Sequence, residues 1–406
     1  MITFNLDKDK NNWQIKSLGE LLTSLESGGR ATGGSVSYGI PSIGAEHLDD
    51  FGKLNFSSMK YVPKDYYYSM NKGKIFKGDI LVVKDGATTG KVSFIDNDFP
   101  FPESAVNEHV FIVRTNKHLL DPQFAFYYLY SSIGKLQILT DFRGSAQGGI
   151  SRGFVDKVHL PLPPLSIQKQ IAEILEKVDT AKQKRQEANK LTVEFLQSVF
   201  IEMFGDPVKN PKRWTVKKFG DIFSSIRYGT GSPPAYVERG IPFIRATNIK
   251  NNTIVRKDLV FITREEATKI KKCELKEGNL IVVRSGVNTG DAAVVSKEFD
   301  GTYAAYDLII ELEITQSVFY SFLINSKYGK AIIEPLSRRA GQPHLNAEQL
   351  KEIEFYFPPL SLQQLFIEIV SKTEALKEKQ KQSELELENL FQGLMQRAFK
   401  GELVLN

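Results

Sequence analysis

Arginine, lysine, glutamine, asparagine and histidine recur in three loop-like, mostly glycine-rich stretches of this chain, and each stretch occurs in two versions. Residues 27–39 carry Arg30 and Tyr38, and residues 226–240 carry Arg227, Tyr228 and Tyr236. Residues 84–91 offer Lys84, Thr88, Thr89 and Lys91, answered by Arg284, Asn288 and Thr289 in residues 284–291. Residues 142–152 offer Arg143, Gln147 and Arg152, and residues 337–347 offer Arg338, Arg339, Gln342, His344 and Asn346. Arg245, just after an Ile-Pro-Phe-Ile block, joins them. Arginine pairs bidentately with guanine, glutamine and asparagine pair with adenine, and glycine lets a backbone approach a ligand closely. The chemistry on offer is DNA reading. The same residue types also fill ordinary solvated loops, so their placement must decide.

Catalysis has no comparable constellation. GATTGKV (86–92) resembles a phosphate loop but has three residues between its glycines instead of four, and no Ser or Thr follows Lys91. Its counterpart reads GVNTGDA, with Asp291 in place of the lysine. SPPAY (232–236) resembles an amino-methyltransferase motif, but Ala235 stands where the base-stacking aromatic would follow the prolines. The five histidines, at 47, 109, 118, 159 and 344, have no metal-ligand spacing, and Cys273 lies in a lysine-rich turn without a base partner. Neither a metal nor a cofactor is expected on this chain.

Elements that could hold such loops follow from an internal repeat. Trp13-QIKSLGELL matches Trp214-TVKKFGDIF, and GDILVVKDGATTG (78–90) matches GNLIVVRSGVNTG (278–290). PPLSIQKQI (163–171) matches PPLSLQQLF (358–366). Each copy, of about 200 residues, opens with a β-rich segment containing a few helices, including one capped by Asp121 with Pro122 in its first turn and running to Leu139. Its counterpart is expected to run from near Thr315 to Ile333 as one helix. The fold class expected is α+β: two similar α/β domains at 1–162 and 207–357, and an antiparallel pair of long coiled-coil helices at 163–206 and 358–406.

Apolar residues at 4-3 spacing define the expected helix seam: Ile167, Ile171, Ile174, Val178, Phe195 and Val199 against Leu362, Phe366, Ile369, Leu376, Leu387, Leu390 and Leu394. The connections imply a pseudo-twofold rod about 58 Å long, with Arg185 near Gln380 at its polar middle. A second apolar edge (Val193, Leu196, Phe200, Met203, Phe204, and Phe391, Met395, Phe399) serves either an adjacent domain or a partner's helix.

Composition agrees with a cytoplasmic globular protein. Of 406 residues, 41% are hydrophobic and 25% charged, and only one is cysteine, which excludes a disulfide scaffold. No run of 18 apolar residues appears, and the polar start is no signal peptide. The net charge of +5 is concentrated: residues 207–360 hold 23 basic and 17 acidic residues, whereas residues 1–165 hold 18 and 17.

The twice-repeated Pro-Pro-Leu-Ser-x-Gln entry into a long helix, in LPLPPLSIQKQIAEIL and FYFPPLSLQQLFIEIV, resembles the specificity subunit of type I restriction-modification systems, over essentially the whole chain. The resemblance implies a non-catalytic subunit that binds double-stranded DNA at a bipartite site, one half per target-recognition domain, with the helices setting the gap. It also implies partners: two methyltransferase subunits using adenosylmethionine, and restriction subunits using ATP and Mg. A coiled-coil interaction scaffold without DNA binding is the alternative.

Overall fold

The computed structural model describes residues 13–144, 148–206, 209–250, 252–338 and 343–403. The chain forms two compact units, residues 1–186 with 381–406, and residues 187–380. Each unit is built around a short strand that is apolar at every position, Ile80–Val83 or Leu280–Val282. Such a strand must be covered on both faces, because successive side chains point to opposite sides. Ile80 and Val82 enter one core while Leu81 and Val83 enter another. Leu280 and Val282 divide from Ile281 and Val283 in the same way.

Around that strand the first unit sets a four-stranded antiparallel sheet in the order Leu22–Ser27, Val110–Thr115, Ile80–Val83, Val92–Phe94. A three-stranded sheet packs beside it, with Ile40–Ile43 between Lys60–Val62 and Ala105–Val106. Gln14–Ser17 pairs with His159–Leu162 and so ties the two ends of the domain together. The second unit repeats all three pairings, from Thr215–Lys218 to Glu354–Phe357. It adds a hairpin of Ile249–Lys250 with Thr253–Ile254.

The helix expected from Pro122 to Leu139 is two helices, Pro122–Tyr130 and Ser132–Leu139. Asp121 caps the first through Gln123 N and Phe124 N, as its position predicts. Ser131 then turns extended and its hydroxyl accepts from Gly134 N, capping the second. Gly134 permits the tight junction, because a Cβ there would lie 2.0 Å from the Tyr128 carbonyl oxygen. The other copy breaks identically at Ser326, into Ile314–Asn325 and Lys327–Ser337. A hydrophobic run does not reveal such a break, since both pieces bury the same face.

Both long helices are 40 residues, Leu165–Phe204 and Leu360–Phe399. Their pairing is antiparallel: within the second unit Gln380 Nε2 donates to Thr192 Oγ1 at 3.0 Å, and Phe366 packs 5.4 Å from Phe200. Within the first, Lys182 Nζ meets Glu388 Oε2 at 2.6 Å and lies 4.2 Å from the Phe391 ring centre. Thr192 is thus the polar partner of Gln380, where the sequence pattern had suggested Arg185. The strict heptad fails towards the far ends of the helices, where Phe195 and Leu390 are each 50% exposed, and also at Leu376 near mid-helix, 48% exposed. A straight helix drifts about 20° per heptad from a 3.5-residue repeat, so the buried face moves off the stripe. Leu196, Phe200 and Phe204 are buried instead, the two phenylalanines against Phe319 and Phe366. Phe391 and Phe399 are buried against Tyr127, Phe124 and Tyr128. The second apolar edge therefore docks on the recognition domains. Val193, on the same edge, stays exposed.

Candidate nucleic-acid interface

In each unit the three loops meet at the end of the central strand. The first loop runs tightly along the neighbouring sheet: a Cβ on Gly28 would lie 1.7 Å from the Val106 carbonyl oxygen, and one on Gly229 1.6 Å from that of Ala305. The second loop is a turn closed by Gly90 N to Val83 O at 2.9 Å, repeated as Gly290 N to Val283 O at 2.8 Å. Thr89 Oγ1 donates to Gly86 O at 2.7 Å, and Thr289 Oγ1 to Gly286 O at 2.6 Å. The third loop docks on the second, through Gly86 N to Gly148 O in one unit and Gly286 N to Pro343 O in the other. One scaffold therefore presents two loop clusters.

Their chemistry differs. In the second unit the Arg284 guanidinium lies over two rings, 4.4 Å from the Tyr228 centre and 4.1 Å from that of Tyr306. Its Nε and Nη2 lie 3.1 and 2.8 Å from His344 Nε2. Asp307 accepts from Arg284 N at 3.2 Å. Burial pushes the Asp307 carboxyl up to about 6, against the opposing pull of Arg284. In the first unit the same place holds Lys84, 3.8 Å from Asp85 Oδ2, and His109, whose Nδ1 lies 2.5 Å from Asp85 Oδ1. Beside them is a cleft of about 270 Å³ whose lining includes Arg30, Lys60, Asn107 and Glu108. Arg30 is exposed, 3.9 Å from Glu108, and Tyr38 is 82% exposed.

Several sequence-predicted residues are already bonded within the fold. Lys91 is largely buried and paired with Asp50 at 2.8 Å. Arg152 Nη1 donates to Leu25 O. Asn346 caps the helix Ala347–Lys351 by accepting from Gln349 N at 2.8 Å. Arg245 Nη2 donates to Asp258 O while the guanidinium lies 5.8 Å from the Tyr236 ring centre. Arg338 pairs with Glu334, and Asn288 Nδ2 reaches Ala246 O at 3.5 Å. Arg143 is exposed near Asp141, and Thr88 is half-buried on the turn. Gln147, Arg339 and Gln342 lie outside the described residues.

Arg227 is the most committed. It donates to Lys272 O, Glu274 O, Asn279 and Glu311. The first unit makes the same knot from the opposite strand: Arg114 donates to Asp79, Glu26 and Lys74 O. The arginine and glutamate have exchanged strands between copies, so aligned sequences place unlike charges at matched positions and hide the knot. Tyr306, Asp307, His109 and Lys60 were also missed. Their only sequence signal was proximity to the repeated blocks.

Among the described residues no group of three His, Cys, Asp or Glu side chains could hold a metal, and no helix is long and apolar enough to cross a membrane.

A family model for the type I restriction modification DNA specificity domain matches residues 10–193 and again 211–388. The chain is similar to the EcoKI type I restriction enzyme specificity subunit of Escherichia coli K12, 23% identical over 391 residues, covering 90% of this chain and 82% of that one. It is 21% identical to the putative MjaX specificity subunit of Methanocaldococcus jannaschii, over 97% and 94% of the two chains. In fold it is similar to the crystal structure of a type I restriction-modification S subunit from M. genitalium, with a TM-score of 0.60 at 16% identity and 98% coverage of both chains.

Proposed function

Because this chain belongs to the type I restriction-modification DNA specificity family, we propose that it binds a bipartite DNA site, one half read by each recognition domain, with the long helices setting the gap. A type I specificity subunit is a recognition subunit and not a catalytic one. The reading extends to partners: two methyltransferase subunits that methylate adenine from adenosylmethionine, and restriction subunits that use ATP and Mg, all in the cytoplasm. The observation that carries it is the repeated loop cluster. Two copies of one scaffold bring their loops to the same place with different side chains, Lys84 and His109 in one, Arg284 and His344 in the other. Two readers of one kind of ligand with unlike half-sites need that arrangement.

The test is genome-wide mapping of adenine methylation in the host, with and without this gene. The expected result is one bipartite motif, two short specified halves around an unspecified gap, that disappears when the gene is deleted. A methylation pattern unchanged by deletion, together with no DNA binding by the co-expressed complex, would favour the interaction scaffold instead.

A further inference from the structure

Every phosphate is alike, so a contact that only positions the protein on DNA needs the same chemistry in both units; a contact that reads a base needs different chemistry wherever the half-sites differ. The loop clusters separate along that line. Gly86, Thr89 and Gly90 are retained as Gly286, Thr289 and Gly290. By contrast Lys84 becomes Arg284, and the bridge of Asp85 to Gly149 becomes one of Ser285 to His344. Around Arg284 the second unit also gains Tyr228 and Tyr306, where the first has Ser27 and the pair Glu108-His109.

We propose that Arg284 reads a guanine in the half-site of the second domain, and that Tyr228, Tyr306 and His344 are its positioning residues; the proposal rests on the recognition role above. An arginine side chain carries five N–H donors in a rigid plane. Two rings hold the guanidinium, their centres 4.4 and 4.1 Å from its carbon. Tyr228 is itself fixed, its hydroxyl accepting from Ala347 N at 3.0 Å. His344 Nε2, as acceptor, takes the Nε–H and one Nη2–H. One donor on Nη2 and both on Nη1 remain, and Nη1 has no hydrogen bond among the described residues. That remaining edge is a fork of parallel donors, the complement of guanine O6 and N7. Lys84 in the first unit is a flexible point charge and cannot make the fork, so the two domains read their halves by different means.

The experiment starts from the motif mapped with the unaltered gene and measures equilibrium competition by the full chain, co-expressed with its partner subunits, among duplexes that differ at single base pairs. The unaltered protein should require a guanine in the half-site of the second domain. Arg284→Ala should cut discrimination at that base pair by about 5- to 150-fold, the span of one good bidentate contact, and leave the other half-site unchanged. Arg284→Lys should lose most of it, and Tyr306→Leu should lower it at the same base pair with the thermal midpoint unchanged. If Arg284→Ala does not accumulate, the other two variants carry the test. A second half-site without guanine, or uniform weakening across sequences with a salt slope smaller by about one, would overturn the assignment and leave Arg284 a phosphate contact. An unaltered protein that selects no sequence would overturn the recognition role itself.

Discussion

The strand-exchanged arginine knot can be used to redesign one copy from the other. Arg114 holds Asp79 bidentately, at 2.7 and 3.0 Å, Glu26 at 2.5 Å and Lys74 O at 2.6 Å, with Phe76 4.9 Å from its guanidinium. Asp79 is almost fully buried, and burial pushes its carboxyl up against the hydrogen bond from Arg114. Arg114→Glu therefore leaves a buried carboxylate without its cation and adds a like charge, a loss of about 3–5 kcal/mol by the cost of breaking buried pairs. Glu26→Arg alone places two arginines together and loses the carboxylate that accepts from Arg114, Gly73 N and Ser24 Oγ, about 1–3 kcal/mol. The second unit shows that the opposite polarity fits, because Arg227 there reaches Glu311, Asn279 and Glu274 O from the other strand. The double variant should regain about 2–3 kcal/mol relative to the sum of the singles, the upper range for residues in contact. Urea unfolding of all four proteins, followed by circular dichroism, measures that coupling. A double variant no more stable than the sum of its singles would refute the claim that the two knots are equivalent.

Asp307 predicts a pH dependence. Its folded value, raised to about 6, exceeds the roughly 3.9 of an unfolded aspartate, so its stability is present below about pH 4 and lost as pH rises through 6, a change of about 3 kcal/mol. Asp307→Asn keeps an acceptor for Arg284 N, so thermal melts should show the variant more stable at pH 7.5, with the difference shrinking as pH falls towards 4; a pH-independent difference would contradict this. Phe391, fully buried against Tyr127 and Tyr130, ties the second long helix to the first recognition domain. Phe391→Ala should destabilise that unit by about 3–5 kcal/mol, whereas Leu390→Ala, one residue away and half exposed, should cost under about 1 kcal/mol; equal losses in urea titrations would mean that the docking face is misplaced.

The duplication, both long helices and the Asp121 cap were legible because each leaves a periodic or local mark: matched blocks, a proline-free stripe, an aspartate before Pro122. The break at Ser131 left none, since it depends on how closely Gly134 approaches the Tyr128 carbonyl. The failure at Phe195 and Leu390 has a different origin. A heptad reports contact with one partner helix, but these helix ends also pack on the short helices Pro122–Tyr130 and Ile314–Asn325, and their buried face follows the true helical period. For the loops, the sequence indicated which segments converge but not which side chains are already bonded. Asn346 looked like an adenine reader and is a cap. Arg227 looked like a loop arginine and is a strand clamp, and the exchange of its charges between copies concealed it. Arg284 stood out only as one arginine of several, until Tyr306 and His344, distant in sequence, were found around it.

The central claim, two readers with a helical spacer, is tested most directly by lengthening both long helices at their middles by one heptad and mapping adenine methylation. Seven residues add about 10 Å of helix, up to roughly three base pairs of DNA. The account predicts a motif with both half-sites intact and a longer gap between them. An unchanged gap with altered half-sites would contradict it.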